Sequence, residues 1–252
     1  MFNFDSAAQG GTPVLVMALA GGSYLLALLA VRIAHAYALA LSEGAPAMWR
    51  TLLSAVLQAL NAEWRYKMPV GTLVLFALTL FAGVVLVLAA SGHGSLWRAP
   101  DGLFWGMAAL HIAFVYVLGV LALIDVRTGL LPNALSYPLA AFGLVLAYSG
   151  IIVRLPEALV AAAAIVLLLA CVRAFMLRRG VEGVGLGDIK VLMAVGLWLG
   201  VQGAFTVMLF ANVLLLIWAG MRRMAGGPQQ HNFAFGPFIW LGVLMHFAVK
   251  LL

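Results

Sequence analysis

Long apolar runs separated by short polar connections dominate the sequence. A bilayer core ~30 Å deep needs about 20 apolar residues per crossing helix, and most of the runs approach or reach that length. The pattern therefore predicts an all-α, polytopic helical membrane protein with about eight transmembrane helices. The predicted segments lie near 13–35, 69–90, 103–124, 133–152, 156–177, 188–200, 203–221 and 234–251.

The connection at 36–68 has a different pattern. Apolar residues recur there at helical spacing (Trp49, Leu52, Leu53, Val56, Leu57, Leu60), and polar residues share another face (Arg50, Ser54, Gln58, Asn61). This predicts an amphipathic helix lying in the membrane interface. Packing against a partner protein or the rest of the bundle would give the same pattern. The sequence contains no internal repeats and no low-complexity linker. We therefore interpret residues 1–252 as one membrane-embedded domain, with 36–68 as a cytoplasmic loop.

Composition narrows the class further. The chain is 65% hydrophobic and 9% charged, whereas soluble domains carry about 25% charged residues. The net charge of +6 does not indicate nucleic-acid binding, because no basic cluster has interleaved aromatics and such residues usually hold cytoplasmic loops in place. The single cysteine, Cys171, excludes an internal disulfide or a cysteine-based zinc site. No basic residue precedes the first apolar run, so we expect that run to remain rather than be cleaved as a signal peptide.

The distribution of Lys and Arg predicts the orientation. With the N-terminus outside, most basic residues fall in cytoplasmic connections or helix ends: Arg32, Arg50, Arg65, Lys67, Arg127, Arg173, Arg178, Arg179, Lys190, Arg222 and Arg223. The outer side then holds only Arg98, Arg154 and Lys250. The positive-inside rule therefore favours an N-out topology.

Two of the eight acidic residues lie at the ends of apolar segments. Asp125 ends the third segment in IDVRTGLLPN, and Asp188 opens the sixth segment after GVGLG. The predicted topology brings both to the cytoplasmic boundary. A carboxylate at the edge of a membrane-spanning segment costs free energy, so its presence there indicates a function. If the two helices are neighbours, the carboxyl groups face each other across one water molecule.

Such a pair is what an aspartic peptidase requires. Two close carboxyl groups cannot both ionise easily, so they share a proton. One then takes a proton from the attacking water, and the other donates a hydrogen bond to the peptide carbonyl. Gly183, Gly185 and Gly187 would permit positive φ angles and the close approach of an extended substrate.

Simpler interpretations exist for each residue. Asp188 is also a plausible helix cap after a glycine loop, and Asp125 a boundary residue balanced by Arg127. Arg127 either holds Asp125 ionised or contacts lipid phosphate. Lys190 either contacts the substrate, tunes Asp188 or anchors the helix end. The five histidines lack ligand spacing, so we predict no metal site.

These residues resemble the type IV prepilin leader peptidases, which are GxGD intramembrane aspartic proteases. Gly185 to Asp188 form the GxGD motif, and Asp125 with Pro132 seven positions later is similar to the segment around the first catalytic aspartate. FAFGPFIWLG resembles the family's F-G-P segment, and RYKMPVGTLVLFAL is a looser match to its R-Y-P stretch. GGSYLLALLAVRI resembles the family's opening, with Leu26 where Asn is usual.

The resemblance implies Asp125 and Asp188 as the catalytic pair and no cofactor. It implies removal of a short basic leader from type IV prepilins or type II secretion pseudopilins at the cytoplasmic face of the bacterial inner membrane. The expected partners are a substrate helix and membrane lipid; the oligomeric state stays open. Bifunctional members carry two C-x-x-C pairs in the first cytoplasmic loop and also N-methylate the product. Residues 36–68 contain no cysteine, so we expect methyltransferase activity to be absent or supplied by another protein.

Two other functions are compatible with a hydrophobic chain holding two acids. A proton-coupled transporter would use Asp125 and Asp188 as relay groups, although a relay should extend through the bilayer. A catalytically silent component of a pilus or secretion system is the other alternative.

Overall fold

The computed structural model describes residues 5–45, 49–60, 70–91, 102–180, 183–225 and 233–251, and every regular element among them is helical. The helices are α1 (Asp5–Ser42), α2 (Trp49–Leu60), α3 (Val70–Ser91), α4 (Gly102–Thr128), α5 (Asn133–Tyr148), α6 (Leu155–Arg178), α7 (Leu186–Met224) and α8 (Gly236–Val249). The predicted all-α polytopic class is confirmed. Predictions that concern Asn61, Arg65, Lys67 and Arg98 lie outside the described residues.

Four helical stretches within the described residues are long and apolar enough to cross a membrane: Met17–Ser42, Gly106–Thr128, Leu155–Arg178 and Leu186–Met224. Shorter apolar helical stretches occur at Phe76–Val85, Asn133–Tyr148 and Gly236–Val249. Each of the eight predicted segments coincides with a helix or with half of α7. The first helix is longer than predicted, because it continues through residues 36–42, which we assigned to the loop.

Helix α7 contains a break that makes it two segments. Gly200 has φ 70° and ψ −171°, which is not helical. A Cβ at Gly203 would lie 3.3 Å from the His246 ring near the end of α8, whereas Gly242, one turn earlier in α8, faces the backbone at Ala211. The chain therefore reverses direction at the break, and its second half runs antiparallel to α8. This agrees with the separate sixth and seventh segments predicted from the sequence.

Two buried tryptophans join the helices at the centre of the bundle. Trp198 on α7 stacks on Phe114 of α4 with ring centroids 4.6 Å apart, and its Nε1 donates to the Leu139 carbonyl of α5 at 2.9 Å. Trp240 on α8 donates to the Val115 carbonyl of α4 at 3.0 Å. Each indole N–H is thus satisfied inside an apolar core, as buried tryptophan requires. These contacts fix α7 and α8 against α4.

The predicted amphipathic helix is α2. Its small face, formed by Thr51, Ala55 and Ala59, is buried, and α2 packs on α1. Trp49 and Leu57 remain exposed, at 63% and 61% of their surface. Contact with the bundle therefore accounts for one face of α2, and the interfacial position of the exposed apolar face stays a prediction.

Candidate active site

A cavity of about 590 Å³ lies between the end of α4, the loop before α7 and the segment before α8. Asp125 and Asp188 both line it. The two carboxyl groups are close enough to interact electrostatically. The structure therefore brings together the two acids that the sequence analysis selected, although 62 residues separate them along the chain.

Asp125 is held by a contact between distant parts of the chain. It lies in the last turn of α4, after the buried run that ends at Ile124, and only 5% of its surface is exposed. The backbone N–H of Gly236, the first residue of α8, donates to Asp125 Oδ2 at 2.7 Å. A free N–H group at the start of α8 thus satisfies a buried carboxyl oxygen.

Asp188 is held by its own helix. It is the third residue of α7, and the N–H of Gly185, the residue that caps α7, donates to Asp188 Oδ2 at 3.2 Å. This is the side-chain-to-cap half of a capping box. The simpler interpretation of Asp188 as part of a helix cap is therefore correct as a description of its geometry. It does not compete with a role in the cavity, since the same side chain also lines it.

The three glycines before Asp188 line the cavity, but they do not have the positive φ angles that we expected. Gly185 is extended, with φ −71° and ψ 144°. The described positive-φ glycines lie elsewhere, among them Gly129 and Gly200. The lack of a side chain matters here for space: a Cβ at Gly185 would lie 2.8 Å from Asp188 Oδ2, and one at Gly187 would lie 3.0 Å from Leu131 Cβ. Close approach, not left-handed backbone, explains Gly185 and Gly187.

Comparison with known proteins bears on this site. Residues 112–220 match the type IV leader peptidase family. The match covers 109 of the 252 residues and runs from α4 into α7. Both cavity aspartates lie inside the matched range. The resemblance based on GxGD and on the segment after Asp125 is thereby confirmed.

Curated relatives named prepilin leader peptidase/N-methyltransferase are similar to the chain. One from Pectobacterium carotovorum subsp. carotovorum is 38% identical over 164 residues, covering 63% of this chain and 56% of the relative. One from Dickeya chrysanthemi is 34% identical over 187 residues, covering 72% and 58%. One from Neisseria gonorrhoeae is 33% identical over 161 residues, covering 63% and 51%. The chain spans about half the length of the curated relatives it matches. No solved structure matches it.

Two cations line the same cavity. Arg173 of α6 donates a hydrogen bond to the carbonyl of Val184 in the loop before α7. Lys190, which the sequence analysis singled out, donates to Asn133 Oδ1 at 2.8 Å and lies 5.3 Å from the Tyr137 ring centroid. Arg173 therefore ties the glycine loop to α6, and Lys190 ties α7 to α5.

Arg127 and Pro132, the remaining two predicted motif residues, do not line the cavity. The Arg127 guanidinium hydrogen-bonds His35 Nδ1 of α1 at 2.6 Å. Pro132 is buried, caps the start of α5, and accepts a hydrogen bond from Ser136 through its carbonyl. Both residues connect elements next to the site, and their roles stay predictions.

Sequence reasoning missed Arg173 and Gly236. The sequence analysis assigns Arg173 only to the cytoplasmic charges that set the orientation. Its position inside the predicted segment 156–177 is nevertheless a signal, because a cation within an apolar helix needs a partner. Gly236 lies in the segment FAFGPFIWLG, to which the sequence analysis assigns no chemical role. Gly236 and Asp125 are 111 residues apart in the chain, so no local sequence pattern indicates their contact. No group of three or more metal-ligating side chains occurs among the described residues.

Proposed function

We propose that the chain is an intramembrane aspartic endopeptidase that removes the short basic leader from type IV prepilins or pseudopilins. The observation that carries the proposal is the shared cavity of Asp125 and Asp188, both of which lie in the segment that matches the type IV leader peptidase family. A single proton is shared by the pair. One carboxylate takes a proton from water as the water oxygen attacks the scissile carbonyl carbon. The other donates a hydrogen bond to the carbonyl oxygen.

The tetrahedral intermediate then collapses with cleavage of the C–N bond. The carboxyl group that holds the proton transfers it to the leaving amine, and the pair returns to its starting state. Backbone groups of the loop 183–187 pair with the extended substrate, since side-chain-free positions leave room for it. The hydrophobic helix of the substrate stays in the bilayer beside the site.

We also propose that the cavity opens toward the cytoplasm of a bacterial inner-membrane protein and that residues 1–252 act as one domain. The Lys/Arg distribution supports this orientation. In the structure, cations such as Arg173, Lys190 and Arg127 lie at the same end of the bundle as the aspartates.

Methyltransferase activity is not part of the proposal. The relatives' printed name includes N-methyltransferase, but this sequence has one cysteine, so it cannot supply the two C-x-x-C pairs that the resemblance associates with that activity. Mass spectrometry of the mature pilin tests this expectation. An N-methylated product that appears only with this chain, in cells without another such methyltransferase, would contradict it.

The decisive experiment is cleavage of a co-expressed prepilin substrate by the wild type, Asp125→Asn and Asp188→Asn. Each substitution keeps the side-chain shape but removes an ionisable group, so we expect processing to be abolished in both. Glu43→Gln, which removes an exposed carboxylate after α1, is the matched control and should process normally. Normal processing by both aspartate variants, at equal membrane abundance, would reject the peptidase and leave the silent-component alternative.

A further inference from the structure

A second cavity, of about 430 Å³, lies at the end of the bundle opposite to the aspartates. Gly236 at the start of α8 contacts Asp125, whereas Lys250 just after α8 lines the second cavity. The 14 residues of α8 span about 21 Å. Leu199, eleven residues or about 17 Å along α7 from Asp188 and just before the break, also lines the second cavity.

The lining of this cavity carries charges of both signs. Arg154 caps α6, Lys250 follows α8, and both are exposed at the cavity. Neither cation forms an ion pair with the residues that the structure describes. Glu157, in the first turn of α6, is the one acidic residue among the described lining residues. Two unpaired cations and one carboxylate thus converge on one space.

A buried histidine completes the lining. His246 is 4% exposed, lines the cavity, and its Nε2 has no hydrogen-bond partner in the described part of the chain. Buried side-chain nitrogens without a partner are rare, because the lost hydrogen bond to water costs free energy. Beside it, a Cβ at Gly203 would lie 3.4 Å from Nε2, so the glycine leaves space next to the ring. The unsatisfied nitrogen points to a ligand with a hydrogen-bonding atom.

We propose that this cavity binds a phosphoethanolamine group, such as the headgroup of a phospholipid. The phosphate would bind Arg154, Lys250 and the His246 nitrogen, and the ammonium would bind Glu157. A simple anion would be repelled by Glu157, whereas a zwitterion uses all of the charged groups. The cavity lies at the beginning of α6, which is long and apolar enough to cross a bilayer, and the end of such a helix lies at the depth of lipid headgroups. Exposed apolar residues of α6 below it, Leu159 and Val160, offer a surface for acyl chains.

The test uses the full chain in nanodiscs that contain equal amounts of phosphatidylethanolamine, phosphatidylglycerol and phosphatidylcholine. Native mass spectrometry then measures which lipid stays bound. We expect phosphatidylethanolamine to be retained preferentially. A parallel arm titrates detergent-purified protein with free phosphoethanolamine and follows the histidine ring ¹⁵N shifts. Binding in the first arm alone identifies the lipid as the source, and binding in the second shows that the soluble group suffices.

Charge variants make the proposal falsifiable. Arg154→Gln with Lys250→Gln should weaken retention by roughly a hundredfold, because two charge-assisted contacts to phosphate are lost. Glu157→Gln should remove the preference for phosphatidylethanolamine over phosphatidylglycerol. Arg223→Gln, an exposed cation on the second half of α7 outside the cavity, should change nothing. The proposal would be overturned if neither arm showed binding, or if the wild type preferred phosphatidylglycerol. It would also be overturned if Arg223→Gln weakened retention as much as the cavity variants do.

Discussion

The two sides of the candidate active site hold the same kind of side chain in different ways. Asp125 is buried and receives its N–H donor from Gly236, at the start of a helix 111 residues away. Asp188 is half-buried and receives its donor from Gly185, three residues away. The Asp188 side is therefore built by local sequence, and the Asp125 side by tertiary packing. A change in the packing of α8 should therefore affect the Asp125 side, and a change in the loop before α7 should affect the Asp188 side.

The largest effect should come from pushing α8 away from Asp125. In Gly236→Ala the added methyl would lie 3.0 Å from Asp125 Oδ2 and 3.3 Å from the Ala122 backbone. The carboxyl group or the helix must shift, and we expect leader cleavage to fall by about a hundredfold, because small displacements of catalytic groups are costly. Cleavage rates of a purified prepilin substrate provide the measurement.

Gly220→Ala is the matched control for that experiment. Gly220 lies within α7, and a Cβ there meets nothing within 4 Å. The same chemical change should leave cleavage at the wild-type rate. If Gly236→Ala cleaves as fast as Gly220→Ala, the contact between α8 and Asp125 does not position the carboxyl group.

A second prediction compares stability on the two sides. Asp125→Ala leaves the Gly236 N–H buried without an acceptor, which costs about 1–3 kcal/mol. Asp188→Ala frees an exposed N–H at Gly185 that water can bind, so its cost should be about 1 kcal/mol or less. Thermal unfolding in one detergent should therefore rank the wild type first, Asp188→Ala next and Asp125→Ala last. The reverse order of the two variants would mean that the loop, not the α8 contact, limits stability at this end.

The same contrast explains how far sequence reasoning reached. Asp188 could be found because its glycines and its helix start are adjacent in the chain, and the break at Gly200 because it separates two apolar segments. The N–H of Gly236, the partner of Asp125, could not be found from the sequence. Apolar periodicity predicts that α4 and α8 exist, but it does not predict which of their residues are in contact. The glycine loop was located correctly, but its φ angles were not, because spacing does not distinguish a glycine needed for left-handed backbone from one needed for room.

A third prediction concerns the loop. Arg173 donates to the Val184 carbonyl and so restrains the residues before Asp188. Arg173→Gln should lower kcat for cleavage by about tenfold, the value of one charge-assisted hydrogen bond, with a smaller change in KM. Arg173→Lys, which keeps a charged donor, should recover part of the loss.

Arg178→Gln controls for loss of charge on the same helix. Arg178 lies at the end of α6, is exposed and does not line the cavity. We expect wild-type cleavage from it. Equal losses in both variants would assign the effect to net charge, and a loss in Arg173→Gln confined to KM would assign Arg173 to substrate binding.

The smallest effect should follow removal of Lys190. Its bond to Asn133 Oδ1 is exposed to solvent, and such contacts contribute about 1 kcal/mol or less. Lys190→Met should therefore reduce cleavage by less than about fivefold, and combining it with Asn133→Ala should add little, since both remove the same contact. A fall comparable to that of Asp188→Asn, with the protein still folded, would show that Lys190 acts on the substrate and not as a tie between α5 and α7. In that case the Asp188 side would also depend on more than its local cap, and the contrast between the two sides would narrow.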